Sequence, residues 1–319
     1  MQRADEITFG KATVLLPSFY PSVSSVKTNL APVDYVQLLT ELAFPQFLFS
    51  AYDYQHAVEA ERLRLEEYFE RARGQGTVIL LDSGNYESFW LRDATWSMTS
   101  FYDACKTVHP ALAFSFDDQH PPGTAEGAKD VAIKRARSDS QAISGQLIVP
   151  IVHSRSGFLP SAVADVVRTL RPPMVAVAER ELGDGITERC RSIAAIRKRL
   201  NEIEYYCPIH VLGTGNPYSL FAFVLSGADS FDGLEWCQTV VDFSTGQLSH
   251  FQHWDLFASA SPIPTTEDLP YQQRTLAHNL VFWAELMRSI REFVRHGTST
   301  KLTDSILTRI RPILPSHIS

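Results

Sequence analysis

Residues 77–82 have the sequence TVILLD, in which an unbroken apolar run ends in an aspartate. A run without polar alternation predicts a strand that is covered by helices on both faces. Comparable runs start every 20 to 35 residues along the chain, which is the spacing of a strand–helix unit. They lie at 47–53 (FLFSAYD), 112–117 (LAFSFD), 146–153 (QLIVPIVH), 174–179 (MVAVAE), 208–213 (PIHVLG) and 230–236 (SFDGLEW), and we predict an eighth near 12–17 (ATVLLP).

Helical patterns separate these runs. Residues 54–73 are rich in Glu, Arg and Leu, and 186–205 place apolar residues on one stripe at spacings of three and four. Eight strand–helix repeats predict a (β/α)8 TIM barrel with insertions. The rival is a doubly wound open sheet, but no GxGxxG follows an early strand to support it. We expect 1–319 to form one domain, with 271–319 as a C-terminal helical segment packed on the barrel.

The composition is that of an ordinary folded protein with a mild acid excess. The 319 residues include 29 Lys+Arg and 36 Asp+Glu, which gives a formal charge of −7. This balance argues against a protein that grips nucleic acid through a uniformly basic surface. No apolar run has the length of a membrane span, and the start lacks the apolar core of a signal peptide. Because the four cysteines are also scattered without a CxxC pair, we expect a cytoplasmic protein.

Acidic residues follow four of the predicted strands. Asp82, Asp117, Glu179 and Asp232 each fall at or just after the end of an apolar run. A single acid in such a place often does no more than cap the next turn. In a barrel, however, all four positions face the mouth formed by the carboxyl ends of the strands, where the active sites of this fold lie. The four acids therefore predict an acid–base site at that mouth.

Six segments occur in an order that resembles the tRNA-guanine transglycosylases. Where that family has DSGGFQ, DECTP, AVGGLAVGEG, HYLMGVGKP, GxDMFDC and EHNIAFY, this chain has DSGNYE (82–87), FDDQHPP (116–122), AVAERELGDG (176–185), HVLGTGNP (210–217), GADSFDG (227–233) and a segment beginning AHNLVFW (277–283). The N-terminal segments PSVSSVKTNLAP (21–32) and FLFSAYD (47–53) are similar to the branch of the superfamily that acts on DNA. The resemblance implies a barrel enzyme that replaces guanine with a 7-deazaguanine such as preQ₀.

The resemblance also implies roles for individual residues. Asp232 would attack C1′ of the target nucleotide and form a covalent glycosyl-enzyme, and Asp82 would be the general acid/base. Asp117 would accept hydrogen bonds from the purine. Tyr86, Ser83, Gly84, His153, Ala178, Glu179, Arg180 and Gly213 would complete the base-binding site. The target base must be flipped or already unpaired to reach such a pocket.

Departures from the family pattern bear on the substrate and on metal. The arginine-containing loop with which the tRNA enzymes meet phosphates, PTRSGRNG, is replaced here by LEWCQTVVDFSTG (234–246), which favours DNA over tRNA. Glu179 stands where the family has glycine. The family's CxCxxC zinc cluster is missing, although His250, His253, Asp255 and His278 lie in the same region. The chemistry needs no cofactor, and a structural zinc ion has no cysteine cluster to support it.

Several partners and alternatives follow from this interpretation. Lys129, Lys134, Arg135 and Arg137 form a basic stretch that either meets nucleic-acid phosphates or is a solvated helix face. We expect DNA and a 7-deazaguanine base as substrates, with tRNA as the alternative to DNA. An ATPase or another DNA-modification protein, and a second copy of the chain, are further candidate partners. A non-catalytic partner subunit and an unrelated barrel hydrolase with two carboxylates remain as other functions.

Overall fold

The computed structural model describes residues 3–10, 12–118, 120, 122–263 and 269–314. Gln119 and Pro121 of the FDDQHPP motif, and the last five residues of the predicted C-terminal segment, lie outside them. Eight parallel strands form one sheet in the spatial order β7-β6-β5-β4-β3-β10-β9-β8. They are β3 (Ser18–Val23), β4 (Gln46–Ser50), β5 (Val78–Asp82), β6 (Leu112–Phe114), β7 (Ile148–Val149), β8 (Val175–Ala178), β9 (Ile209–Leu212) and β10 (Ser230–Gly233).

A backbone contact brings the two ends of this sheet together. Ile151, just after β7, pairs with Ala176 of β8 in a parallel bridge. The Val152 amide donates to the Ala176 carbonyl at 2.9 Å, and the Ala176 amide donates to the Pro150 carbonyl at 3.0 Å. The sheet is therefore a nearly closed barrel, and the predicted (β/α)8 class is confirmed.

Helices follow the strands and cover the outside of the sheet. They are α1 (Pro32–Glu41), α2 (Ala51–His56), α3 (Glu59–Gly74), α4 (Asn85–Leu91), α5 (Met98–Val108), α6 (Ala125–Ala142), α7 (Leu159–Leu170), α8 (Ile186–Leu200), α9 (Pro217–Ser226), α10 (Glu235–Gln238), α11 (Tyr271–His296) and α12 (Lys301–Ile310). None of the helices among the described residues is long and apolar enough to cross a membrane.

The predicted eighth strand at 12–17 is wrong. Residues Ala12–Leu15 form β2, which pairs antiparallel with β1 (Glu6–Phe9) outside the barrel sheet. Phe9 and Val14 of this hairpin are buried against the interior of the barrel, in the same apolar cluster as Leu80 and Phe114. The eighth barrel strand is instead β3, which is buried along its whole length. Its serines and proline interrupt the apolar pattern that identifies the other strands.

Two further boundaries differ from the sequence prediction. The run 47–53 leaves the sheet at Ser50, so its last residues already belong to α2, and the helix predicted at 54–73 is two helices, α2 and α3. The helix predicted at 186–205 ends at Leu200. Each strand is shorter than its apolar run, and every run except 77–82 continues past the end of its strand into the following turn or helix.

The C-terminal helices and a small sheet pack around β3 and β10. The Phe19 ring stacks on Trp283 of α11 with centroids 4.0 Å apart. The side-chain amide of Asn279 donates to the carbonyls of Trp236 and Thr239, at 2.7 and 2.6 Å. A two-stranded antiparallel sheet, β11 (Thr239–Val241) and β12 (Leu248–His250), follows α10. These contacts attach α11 to β3 and to the segment that follows the strand of Asp232.

Candidate functional site

A cavity of about 470 Å³ opens at the carboxyl ends of the barrel strands. Asp82, the last residue of β5, and Asp232 of β10 both line it. So does Asp117, which follows β6, and the fourth predicted acid, Glu179, which follows β8. The structure therefore brings together all four acids that the strand-end pattern indicated. Because the strands are parallel, side chains that are far apart in sequence meet at this one edge.

Hydrogen-bond donors surround the Asp232 carboxylate. Ser22 Oγ donates to Oδ2 at 2.7 Å, and the Gly213 amide donates to Oδ1 at 3.1 Å. His210 Nε2 lies 3.1 Å from the same Oδ1. Because a carboxylate oxygen only accepts, Nε2 is the donor to Asp232, and Nδ1 accepts from Ser230 Oγ at 2.7 Å. Three donors offset the desolvation of a carboxylate that is almost fully buried and fix its orientation.

The Asp82 carboxyl group, in contrast to that of Asp232, has few hydrogen-bond donors around it. The only hydrogen bond to its carboxylate among the described residues is from the Gly84 amide to Oδ2, at 3.0 Å. Desolvation raises the pKa of Asp82 well above its usual range, and the negative charges of Glu87 and Asp117 raise it further. Asp82 therefore keeps its proton to a higher pH than an ordinary aspartate does, which favours a general acid.

Glu87 and Asp53 form an acidic wall behind Asp82. Glu87 is buried, and its two carboxylate oxygens accept hydrogen bonds from Ser24 Oγ and Ser50 Oγ. Burial and the charge of Asp53 raise the pKa of Glu87 to about 7. Burial also raises the pKa of Asp53 to about 6, although its carboxylate accepts the Ser25 amide at 2.8 Å. The carboxyl groups on this side of the cavity consequently lose their protons at a higher pH than ordinary carboxylates do.

Asp117 is paired with a histidine cation. Its Oδ2 lies 2.7 Å from His153 Nε2, and the second ring nitrogen, Nδ1, lies 2.6 Å from Glu181 Oε1. Burial would lower the pKa of His153, but the two carboxylates raise it to about 9. Burial would likewise raise the pKa of Asp117, but hydrogen bonds from His153, Asn85 and Ser83 hold it below its usual range. Asp117 is therefore ionised and acts as an acceptor at the cavity wall.

The β8 side supplies a second ion pair. Glu179 pairs with Arg189 of α8 at 2.5 Å and accepts Thr214 Oγ1 at 3.1 Å. Burial raises the pKa of Glu179, and Arg189 opposes that shift. Burial, with the charges of Glu179 and Asp232, raises the pKa of Glu235 to about 7. The charge of Glu179 is thus partly neutralised by an arginine of the next helix.

Most of the predicted base-binding residues line the cavity. Those that do, besides the acids, are Ser83, Tyr86, His153, Ala178, Arg180 and Gly213. Gly84 does not line the cavity and instead forms the tight turn that precedes α4. Its φ of +82° is a left-handed conformation, and a Cβ there would lie 2.7 Å from the Tyr52 amide nitrogen. Only glycine fits this turn, which places Asp82 and Tyr86 on either side of it.

The predicted phosphate-contacting residues are not at the cavity. Lys129, Lys134, Arg135 and Arg137 lie on α6, where the Lys129 ammonium pairs with Glu126 and Asp130. Among the described residues, the lysine and arginine side chains that line the cavity are Lys27, Arg180 and Arg189. The sequence pattern missed Lys27 because it follows β3, the strand that the pattern did not identify.

The histidines considered for zinc have other contacts. Both ring nitrogens of His278 are engaged, Nδ1 with Ser261 Oγ at 2.9 Å and Nε2 with the Val241 carbonyl at 2.8 Å. His250 Nδ1 accepts the Gln252 amide at 3.3 Å. Within residues 3–10, 12–118, 120, 122–263 and 269–314, no three His, Cys, Asp or Glu side chains are grouped as a metal site.

Ser22 and His210, the side-chain partners of Asp232, were missed by the sequence reasoning. His210 is in β9 and Ser22 is in β3, the two strands that flank β10. His210 could have been found from the sequence, because it lies two residues before Leu212, and alternate residues of a strand share a face. Leu212 lines the cavity, so His210 points to the same side of β9.

Comparison with known proteins adds no assignment, because no family model and no curated protein matches the chain.

Proposed function

We propose that the protein is a base-exchange transglycosylase that replaces guanine in DNA with a 7-deazaguanine of the preQ₀ type. The observation that carries this proposal is the contrast between two carboxyl groups in one cavity. Asp232 is held by three hydrogen-bond donors, whereas the raised pKa of Asp82 lets it keep a proton. A nucleophilic carboxylate and a separate proton carrier are what glycosyl transfer through a covalent intermediate requires.

The exchange takes place in two displacements. In the first, Asp232 forms a bond to C1′ of the target nucleotide while the bond from C1′ to the guanine nitrogen breaks. Asp82 gives its proton to the departing base, which leaves as neutral guanine. In the second, the incoming 7-deazaguanine loses a ring N–H proton to Asp82, and its nitrogen displaces Asp232 from C1′. Both carboxyl groups return to their starting states, so no oxidant, reductant or cofactor is consumed.

The cavity walls supply what recognition of a guanine-like base needs. The ionised Asp117 is an acceptor for the donor edge of such a base, which carries a ring N–H and an exocyclic amine. Tyr86 lines the same cavity and offers an aromatic face. A cavity of about 470 Å³ is within the usual size range for small-molecule sites.

Support for DNA as the substrate comes from the segment after Asp232. There α10 and β11 occupy 235–241, and this segment has no arginine or lysine with which to meet tRNA phosphates. A local binding site for one extruded nucleotide also agrees with the acid excess of the whole chain.

The proposal is tested with radiolabelled preQ₀ and three acceptors: duplex DNA, single-stranded DNA and tRNA. We expect label in DNA, and Asp232→Ala should reduce incorporation by at least about a thousandfold because the covalent route is lost. Asp165→Asn, which changes an exposed aspartate of α7, is the matched control and should exchange at the wild-type rate. Label in tRNA alone would contradict the DNA assignment, and an active Asp232→Ala variant would contradict the covalent mechanism.

A further inference from the structure

Three consecutive large apolar residues are exposed at the end of α4. Phe89, Trp90 and Leu91 have 63%, 47% and 53% of their surface open to solvent. A single exposed apolar side chain is common, but three in succession, two of them with rings whose centroids lie 5.7 Å apart, indicate an interaction surface. We call these three residues the rim patch.

The rim patch is continuous with the catalytic cavity. Tyr86, one turn earlier in α4, lines the cavity and contacts the Trp90 ring with centroids 6.3 Å apart. The ammonium of Lys27, which also lines the cavity, lies 3.4 Å from the centroid of the Trp90 ring. An aromatic surface therefore runs from the cavity wall to the mouth, with a positive charge against it.

The backbone under the rim patch is fixed by polar contacts. Ser88 Oγ donates to the Asp93 carbonyl at 2.9 Å, and Asp93 Oδ1 accepts the Thr95 amide at 2.8 Å. The Trp96 indole donates to the carbonyl of Ser83 at 3.1 Å, which attaches the segment to the end of β5. The patch is thus held outward in advance, so little conformational freedom is lost when it meets a partner.

We infer that the rim patch is a wedge that enters the base stack of double-stranded DNA and fills the place of the extruded guanine. This inference rests on the proposed function and adds the form of DNA on which the enzyme acts. A guanine within a duplex reaches the cavity only when it is flipped, and the flip leaves a gap in the stack. Phenylalanine and leucine are typical wedge side chains, and the Trp90 ring can stack on an exposed base.

The charges around the patch favour DNA as its occupant. Lys27 and Arg180 lie at the cavity, and Arg92, which ends α4, is exposed beside Leu91. These side chains are placed to meet the phosphates on either side of an extruded nucleotide. A second copy of this chain would carry the same three exposed residues and would bury them against its own patch, and the test distinguishes that occupant from DNA.

The test uses the double variant Phe89→Ser/Leu91→Ser, which leaves Trp90 and its contacts with Tyr86 and Lys27 in place. Leu63→Ser is the matched control, since Leu63 of α3 is 62% exposed and lies away from the cavity. Exchange rates are measured on one sequence as a duplex, as a single strand, and as a duplex with an abasic site opposite the guanine. Unstacking is measured separately from the fluorescence of 2-aminopurine placed beside that guanine, which needs no base exchange.

We expect the double variant to lose roughly tenfold or more in kcat/KM on the duplex, and to stay within about twofold of wild type on the single strand. An abasic site opposite the guanine should restore most of the loss, because the guanine is then no longer paired. The variant should also abolish the 2-aminopurine signal that wild-type protein produces on the duplex.

Three outcomes would overturn the wedge. They are equal losses on duplex and single strand, wild-type protein that leaves 2-aminopurine stacked, and a change in oligomeric state of the variant by sedimentation, which would make the patch a contact between copies of the chain. Failure of the proposed function has a different signature, namely that wild-type protein exchanges base in none of the nucleic acids.

Discussion

Asp232 and Asp82 lie in the same cavity, yet the two sides of that cavity are built in opposite ways. On the Asp232 side, β3 and β9 direct Ser22 Oγ and His210 Nε2 at the carboxylate. On the Asp82 side, the neighbouring elements contribute further carboxyl groups, of which Glu87 is fully enclosed. The two aspartates are therefore held differently: hydrogen-bond donors orient the Asp232 carboxylate, whereas burial and nearby negative charge raise the pKa of Asp82.

We expect Asp82→Asn to have the largest effect of these substitutions, because it removes the proton carrier of the pair. Asparagine keeps the size of the side chain but can neither give nor take the proton, so we expect the exchange rate to fall by about 10²–10⁴-fold. The Asp232 side is untouched, so binding of preQ₀ measured by calorimetry should change little. A variant that exchanges base at the wild-type rate would show that the proton travels by another group.

His153→Gln tests the third carboxyl, Asp117, which is neutralised by a cation. The pKa of His153 in the folded protein, about 9, is above its ordinary value of 6.5. The protonated histidine therefore stabilises the fold fully below about pH 6.5, and this contribution of about 3 kcal/mol is lost as the pH rises through 9. Urea unfolding at pH 6 and pH 9.5 should show a larger loss of stability for wild type than for the variant. Parallel pH dependence in the two proteins would contradict the ion pair.

We expect Glu87→Gln to shift the pH dependence of the reaction without abolishing activity. Removing the Glu87 charge lowers the pKa of Asp82, because that charge helps to keep Asp82 protonated. Asp82 then loses its proton at a lower pH, so the alkaline limb of the kcat/KM profile should move to lower pH. At pH 7 we expect the rate to stay within about tenfold of wild type. An unmoved limb would mean that Glu87 and Asp82 titrate independently.

Ser22→Ala should have the smallest effect. It removes one of the three donors to Asp232, a loss of about 1 kcal/mol or roughly fivefold in kcat. The Gly213 amide and His210 remain to hold the carboxylate. Steady-state rates on DNA are the measurement, and Ser226→Ala, a change at a buried serine of α9 whose hydroxyl donates to the Ala222 carbonyl, is the control. A loss above a hundredfold would assign Ser22 more than an orienting role.

The strand-end acids could be predicted from the sequence because each follows directly on a local apolar pattern. Asp82 ends TVILLD, and the parallel sheet then places it beside the other strand ends without further information. The strand β3 could not be predicted in this way, because Ser18, Pro21 and Ser22 interrupt its apolar pattern. The stretch 12–15 was predicted in its place because it is apolar. Its Val14, like Phe9 of the paired strand, is apolar because it packs against the barrel interior from outside the sheet.

The different surroundings of Asp232, Asp82 and Asp117 inside the cavity could not be predicted from the sequence. Ser22 meets Asp232 only because β3 and β10 are neighbours where the chain closes on itself, 210 residues apart. The cation shared by Asp117 and Glu181 likewise depends on where the loop after β7 places His153. Such pairings follow from the register of the barrel, and no local pattern encodes them.

The hairpin of β1 and β2 closes the end of the barrel opposite the cavity, and Leu80, Phe114 and their neighbours fill the interior between them. Within the part of the chain that the structure describes, the cavity is therefore closed towards the barrel interior and opens at the carboxyl ends of the strands. Under the proposed function, the outgoing and incoming bases occupy the same base site in turn, while the sugar remains attached to Asp232. Guanine has to depart before preQ₀ enters, so reciprocal rate plots against the two substrates should be parallel lines.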